Sequence, residues 1–475
     1  MSTVARVRGR ATLAMISRLR SDPLGMLIGI SRDHGERVRL PTLARHPLFL
    51  LSKPDDVAHV LVANQSNYVK APTYRPLREL LGNGLLTNEG DHWARQRKQL
   101  QPMFARRHVV SFAPAMVAAT NRMLDGWATR PDGATLDVAE ELSALTLDVV
   151  GRALFSADLT GEAGELAPAL TTVLNAYIAV VRNPLFWLLP NYEKWRTPNR
   201  RRAAVAEAHL RAVVQRMITA RQAEPPAERP TDLLDMLLAA RDESSGAAMS
   251  EQQVRDELMT FLLAGHETTA NALAWTCYLL STHPDARARL EAEVDSVLAG
   301  RAPTADDQDK LAWTGAVVAE AMRLYPPAWI LERQSLAEDA FDGLVIPSGA
   351  IVITPPYLVH RNPDHWPNPE GFDPTRFLPG APTRHRYAYL PFGGGRRQCI
   401  GGGFATLEAT LLLATITQRA RVNLVPGAHP VPQPTVTLRP ANGLPMTLHH
   451  RDAAARRSSQ ERIHKSDDRS GSRQN

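Results

Sequence analysis

At 475 residues with 44% hydrophobic content, the chain can bury a sizeable core, and the usual prior of about three domains is soft for large α-rich enzymes. The formal net charge of +6 excludes little by itself. However, Arg451 to Asn475 carries half of it, with seven Lys/Arg against four Asp/Glu, so the body is too mildly and diffusely basic for a nucleic-acid binder. Two cysteines, Cys277 and Cys399, argue against a disulfide framework and for a reducing compartment.

Arginines at 6, 8, 10, 18 and 20 interrupt the N-terminus, and its best apolar run, Leu24 to Ile30, contains two glycines. Nothing there reaches signal-peptide or membrane-span length, which predicts a cytoplasmic protein with no integral membrane segment; a surface amphipathic contact is the alternative. Short β-type runs at Val38–Leu40 and Leu48–Leu51 precede a helix-like stretch from Pro54, predicting a small sheet at the edge of a helical body. From Tyr68 to Thr87 the prolines and glycines predict irregular chain. In the following G-D-H-W-A-R-Q-R, Trp93 and Arg97 lie four apart on one helical face, which also suits an ordinary amphipathic surface helix. Helical patterning continues through Val109–Trp127, Val138–Phe155, Leu166–Val181 and Arg200–Gln222. It is broken around Leu185–Leu189, an apolar insert that reads either as an entrance lid or as a buried connection. Pro225, Pro226 and Pro230 mark a loop before Asp232–Arg241.

The longest predicted helix starts at the capping box Ser250-Glu251-Gln252-Gln253 and ends at His283-Pro284, about 48 Å at 1.5 Å per residue. In its apolar middle stands L-A-G-H-E-T-T, residues 263–269. Gly265 removes a side chain where a helix would crowd a ligand, at a cost of about 1 kcal/mol relative to alanine. Glu267 and Thr268 place an acid and a hydroxyl beside that gap, equipment for moving protons into a dry pocket; Thr268 bonding back to a carbonyl is the alternative. Further on, Glu320 and Arg323 lie three apart and can pair, though alone such a pair is commonplace on surfaces. Pro326-Pro327-Ala328-Trp329-Ile330-Leu331 ends that helix. Strand-like Leu344–Ile346 and Ala350–Ile353 and a Pro/Asn-rich stretch over 362–382 follow.

The chain is organised around F-G-G-G-R-R-Q-C-I-G, Phe392 to Gly401. Gly393, Gly394 and Gly395 can take φ > 0 and let a flat ligand approach the main chain. The apolar helix Phe404–Ile416 begins just beyond Cys399, so its positive end favours thiolate. A lone cysteine is usually a small buried hydrophobe, but a structural zinc needs about four ligands and only two cysteines exist. A nucleophilic cysteine needs a base where this loop offers arginines. One thiolate among glycines with Arg397 beside it suits a haem, the iron bound to sulfur and a propionate met by the guanidinium.

The loop resembles the cytochrome P-450 signature F-x-x-G-x-R-x-C-x-G, with Phe392, Gly395, Arg397, Cys399 and Gly401 at its fixed positions. Its A-G-x-[DE]-T motif matches at Ala264, Gly265, Glu267 and Thr268, with His266 at the variable position. The resemblance, to the soluble bacterial type, covers roughly residues 33–448. It leaves residues 1–32 as an N-terminal extension and 449–475 as a polar, disordered tail. It implies a mainly α, single-domain fold with a minor β region, and haem b held by Cys399. It also implies propionate ligands in Trp93, Arg97, Arg333 and Arg397, and a buried network of Glu320, Arg323 and Arg376 that pins the cysteine loop.

The family's chemistry implies insertion of one oxygen atom from O2 into an apolar substrate, with Thr268 and Glu267 delivering protons. No flavin or iron–sulfur region is fused within 475 residues, so a separate donor such as a ferredoxin and its reductase is implied. Arg106, Arg107, Arg384, Arg386 and Arg396 are candidates for its docking face, against the reading of scattered solvated charges. A peroxide-driven hydroxylase, a haem gas sensor and an electron carrier are the rivals; none of them calls for the Glu267-Thr268 pair. The stretches Leu185–Leu189, Ala328–Leu331 and Leu262–Ala264 predict an apolar pocket with nothing ionic beyond the catalytic acid, which favours a large hydrophobic molecule. The P-P-A-W-I-L run and the A-G-H-E-T-T helix resemble bacterial family members acting on fatty acids, terpenoids or carotenoids, and that resemblance implies a lipid or terpenoid.

Overall fold

The Ser250 hydroxyl accepts from the Gln253 amide at 3.2 Å, and Gln253 Oε1 accepts from the Ser250 amide at 2.8 Å, so the predicted capping box is complete. The helix it opens, Glu251–Thr282, runs 32 residues. It is buried nearly all round, with Leu258, Leu273 and Trp275 fully covered, which is the mark of a helix in the centre of a fold. Packed against it are Val138–Val149, Pro198–Ala223, Ala312–Leu324 and Gly402–Arg419.

The computed structural model describes residues 5–6, 18, 21–42, 46–156, 163–195, 197–225, 232–241 and 246–451. Residues 452–475 of the polar tail, most of the arginine-bearing N-terminus, and Pro226 and Pro230 lie outside them. The architecture is mainly α with small sheets at the rim. Six strands form the largest sheet in the order Ala5–Arg6, Arg37–Leu40, Leu48–Leu51, Ile351–Thr354, Leu331–Ser335, Tyr68–Lys70. Within it Leu48–Leu51 pairs in parallel with Ile351–Thr354, and Lys70 stands opposite Arg333. That register joins positions far apart in the chain and sets one wall of the site. A three-stranded antiparallel sheet (Ala420–Leu424, Pro445–His450, Thr135–Asp137) and two hairpins complete the β region among the described residues.

Several expectations need correction. Tyr68–Thr87 is not irregular: it holds the strand Tyr68–Lys70 and the helix Tyr74–Leu81. Pro76 sits in that helix's first turn, where an amide hydrogen has no intrahelical acceptor to lose, and Gly82 at φ 79° ends it. The helix expected over Val109–Trp127 is two, Arg106–Ser111 and Ala113–Ala128, with Pro114 in the first turn of the second. The Val138–Val149 helix passes into a π-helical turn over Val150–Leu154. Pro23–His34 is a helix whose Leu24, Met26, Leu27 and Ile30 join a core cluster with Val38 and Leu50, and the boundary placed at residue 33 falls inside it.

Candidate active site

The Cys399 loop, the middle of the long helix and the end of the six-stranded sheet enclose one cavity of about 600 Å³. Cys399 is exposed and lines it. The loop is held by the Cys399 amide donating to Phe392 O at 2.9 Å and the Arg396 amide donating to Gln65 Oε1 at 2.9 Å. Burial pushes the Cys399 thiol up from its ordinary value; the Gly401 amide, at the start of the Gly402–Arg419 helix, and the Arg97 guanidinium pull it back. The glycines serve the loop differently from expectation. Gly395, at φ 65°, has room for no side chain because a Cβ would lie 1.8 Å from Leu61 O, so a neighbouring backbone imposes it, not a ligand. Gly394 is extended, and only Gly393 and Gly395 of the three adopt positive φ.

One side of the cavity is cationic. Arg97 Nη1 donates to Gln398 O at 2.9 Å, and Arg397 stacks 3.9 Å over the Trp93 ring while pairing with Glu89. Arg397 Nη1 is buried without a partner among the described residues. Burial pulls Arg397 down to about 10, and Arg333 nearby adds to the shift. Lys70 joins this wall, with Nζ 3.9 Å over the Tyr74 ring; burial and the charges of Arg333 and Arg397 hold it well below the ordinary lysine value. Three guanidinium groups on one wall, one of them with an orphaned buried N–H, favour anionic company, and a flat group with two carboxylates meets that need. Lys70 and Tyr74 escaped the sequence reading because their stretch read as irregular.

On the long helix, Ala264, Gly265, Glu267 and Thr268 all line the cavity. Thr268 Oγ1 donates to Ala264 O at 2.6 Å, which is the back-bonding alternative, yet the residue still faces the cavity. Gly265 answers to packing: a Cβ there would meet Val150 Cγ2 at 2.8 Å, in the π-helical turn. Burial raises Glu267 above the usual carboxylate range, against a hydrogen bond to the Thr437 hydroxyl, which also accepts from Asn271 Nδ2 at 3.1 Å. Beside the pair lies an acid that sequence patterning passed over. Glu408, on the helix after Cys399, is fully buried against Thr269 with neither oxygen in a well-formed hydrogen bond, and burial pushes it up to about 8. His266, at the motif's variable position, faces away toward the Ser143 hydroxyl at 2.7 Å, and burial holds it down at about 4.

Glu320 and Arg323 are both fully buried and paired twice, at 2.7 and 2.8 Å. Arg376 Nε stands 3.3 Å from Glu320 Oε1, and Arg323 also donates to the carbonyls of His360, Pro369 and Gly371. From there His360 Nε2 accepts from the Leu390 amide at 2.9 Å, two residues before Phe392.

The pocket predictions divide. Ala328–Leu331, Leu263 and Ala264 line the cavity, whereas Leu262 faces the core and only Trp187 represents Leu185–Leu189; Leu185 and Leu188 are exposed. The expectation of nothing further ionic is overturned by Glu332, which lines the cavity with its Oε2 accepting from the Thr73 hydroxyl at 2.5 Å. Of the suggested docking arginines, Arg106, Arg107, Arg386 and Arg396 are exposed. Arg384 is engaged internally, donating to Arg376 O and lying 4.6 Å over the Trp366 ring.

A thiol presented to an enclosed cavity, cations for a dicarboxylate and an acid–alcohol step in the central helix together define a haem-thiolate protein. The Cytochrome P450 family model matches residues 21–445. Cyclooctatin synthase of Streptomyces melanosporofaciens is 38% identical over 416 residues, covering 87% of this chain and 89% of that protein. Cyclooctat-9-en-7-ol 5-monooxygenase of the same organism is 35% identical, covering 83% and 84%. The crystal structure of the cytochrome P450DA heme domain superposes with a TM-score of 0.83 at 26% identity, covering 95% of this chain and 98% of that one. The chain belongs to the cytochrome P450 family: it is a haem-binding monooxygenase, an oxidoreductase that uses O2, a hydrophobic substrate and a redox partner. No helix among the described residues is long and apolar enough to cross a membrane.

Proposed function

We propose that this enzyme oxygenates a terpenoid or related lipid, with electrons from a separate donor such as a ferredoxin with its reductase, in the cytoplasm. The observation that carries the reading is the apolar part of the cavity lining. Leu77, Leu85, Phe104, Leu154, Trp187 and Trp329 make it apolar and aromatic, so a bulky hydrocarbon gains from every Å² it buries. The printed names of the two Streptomyces melanosporofaciens relatives fit the same class.

In this reading Cys399 would hold the haem iron through its sulfur, and Arg97, Arg333 and Arg397 with Trp93 would hold the propionates, with Lys70 on the same wall. Phe392, Ala264, Gly265 and Gly401 bound the two faces of the site. The haem, when bound, supplies reductive O2 activation at a thiolate-ligated iron. Thr268 offers its hydroxyl at the cavity surface, and Glu267, which burial shifts toward its protonated form, restores the proton that Thr268 passes on. The Glu320–Arg323–Arg376 network holds the segment that leads into Phe392. The exposed arginines Arg106, Arg107, Arg386 and Arg396 are the proposed face for an acidic donor protein.

The test supplies the purified haem-loaded enzyme with sesquiterpenes, diterpenes, sterols and fatty acids, either with O2, NAD(P)H and a ferredoxin chain or with peroxide alone. Product from a terpenoid that requires O2 and reductant is expected. Turnover by peroxide alone favours the peroxide-driven rival, and binding without turnover favours a sensor or carrier.

A further inference from the structure

The substrate cavity is lined by two acids that the chemistry above does not use: Glu408, packed against Thr269, and Glu332. Glu332 lies on the strand Leu331–Ser335, one residue before Arg333, and its carboxylate faces the cavity. One oxygen is fixed: the Thr73 hydroxyl donates to Oε2 at 2.5 Å, across a gap of 259 positions in the chain. The other, Oε1, has no hydrogen-bond partner among the described residues. Around it stand Tyr74 and Tyr177, both close enough to feel its charge, and Arg333. Beyond them the walls are the apolar side chains already described.

A carboxylate in an apolar cavity is costly unless something is gained, because desolvation penalises the charge and a free lone pair wants a donor. The Thr73 bond orients the group without saturating it, so the carboxylate is presented with one acceptor available. What it accepts from is narrowed by its neighbours. Arg333 beside it already supplies a compensating positive charge, so a cationic amine has less to gain there than at an uncompensated carboxylate. A neutral hydroxyl donates a hydrogen bond without bringing a charge.

Resting on the terpenoid reading above, we infer that Glu332, oriented by Thr73, is a specificity-determining anchor for an alcohol group on an otherwise apolar substrate, so that the enzyme acts on an already hydroxylated compound. The reaction that supplies this substrate is then itself a hydroxylation or a water-capturing cyclisation, and the product carries at least two oxygen functions. Anchoring one end of a hydrocarbon skeleton also selects which carbon is presented for oxidation, since a purely apolar wall discriminates between positions only weakly.

The experiment titrates the haem-loaded full-length enzyme with matched pairs, cedrol against cedrane and 1-hexadecanol against hexadecane, reading the spin-state change of the haem. In the unaltered protein the alcohols are expected to bind about tenfold or more tightly than their hydrocarbons, as for a hydrogen bond to a charged group. Glu332→Leu should erase that preference while leaving hydrocarbon affinity and the reduced CO spectrum in place. Thr73→Val should weaken the preference, and Glu332→Gln, which keeps an acceptor, should retain part of it. If both members of each pair bind equally, or if Glu332→Leu keeps the alcohol preference, the anchor is wrong while the apolar-substrate reading stands. If no member of any pair binds, both fall together.

Discussion

Acidification should loosen the cysteine loop through one buried imidazole. His360 is fully buried; its Nε2 accepts from the Leu390 amide at 2.9 Å, and its Nδ1 lies 3.2 Å from Arg323 O, where it donates. Burial, with the Arg323 charge adding to it, holds His360 at about 3 against an ordinary 6.5. A base with a depressed folded value contributes stability that is fully present above about 6.5 and is lost as pH falls toward 3. The gap of about 3.5 pKa units corresponds to about 5 kcal/mol at its limit, and to about 3 kcal/mol already lost at pH 4.5, taking 1.36 kcal/mol per unit. The mechanism is local: a proton on Nε2 faces the Leu390 amide hydrogen, donor against donor, beside a guanidinium. Urea unfolding of the wild type and His360→Gln between pH 7.5 and 4.5 measures this. Gln can still accept from Leu390 but cannot titrate, so the variant should be about 1–2 kcal/mol less stable at pH 7.5 for its lost bond to Arg323 O. By pH 4.5 that deficit should vanish or reverse. Parallel pH dependences of the two proteins would refute the argument, since other titrating groups cancel in the difference.

Cys399→Ser should abolish the strongly red-shifted band of the reduced CO complex, and a variant that kept it would point to another axial ligand. Thr268→Ala should leave substrate affinity unchanged but divert reducing equivalents to peroxide or water, seen as a severalfold drop in product per NAD(P)H consumed. Glu320→Gln removes the carboxylate facing both Arg323 and Arg376 and should cost ~3–5 kcal/mol in denaturant unfolding, with haem retention falling in parallel. Gly395→Ala drives a Cβ to within 1.8 Å of Leu61 O at φ 65°, so the loop must shift; the CO band should weaken even where the far-ultraviolet helix signal is intact.

What the chain declares locally, it declares well. The Ser250 capping box, the His283-Pro284 stop, the apolar run after Cys399 and the order of the four motifs all depend on residues within a turn or two of one another, where caps, periodicity and proline geometry act directly. The cavity was decided elsewhere. Lys70 faces the site because strand register sets it opposite Arg333, and Glu332 meets Thr73 only once that register is formed. Gly265 and Gly395 were legible as glycines that need a reason, but the reasons, Val150 and the Leu61 carbonyl, belong to segments folded against them. Glu408 and His360 read as ordinary polar residues in sequence because nothing nearby in the chain marks them. They become chemically distinctive through desolvation, which is a property of the packed interior and of no single segment.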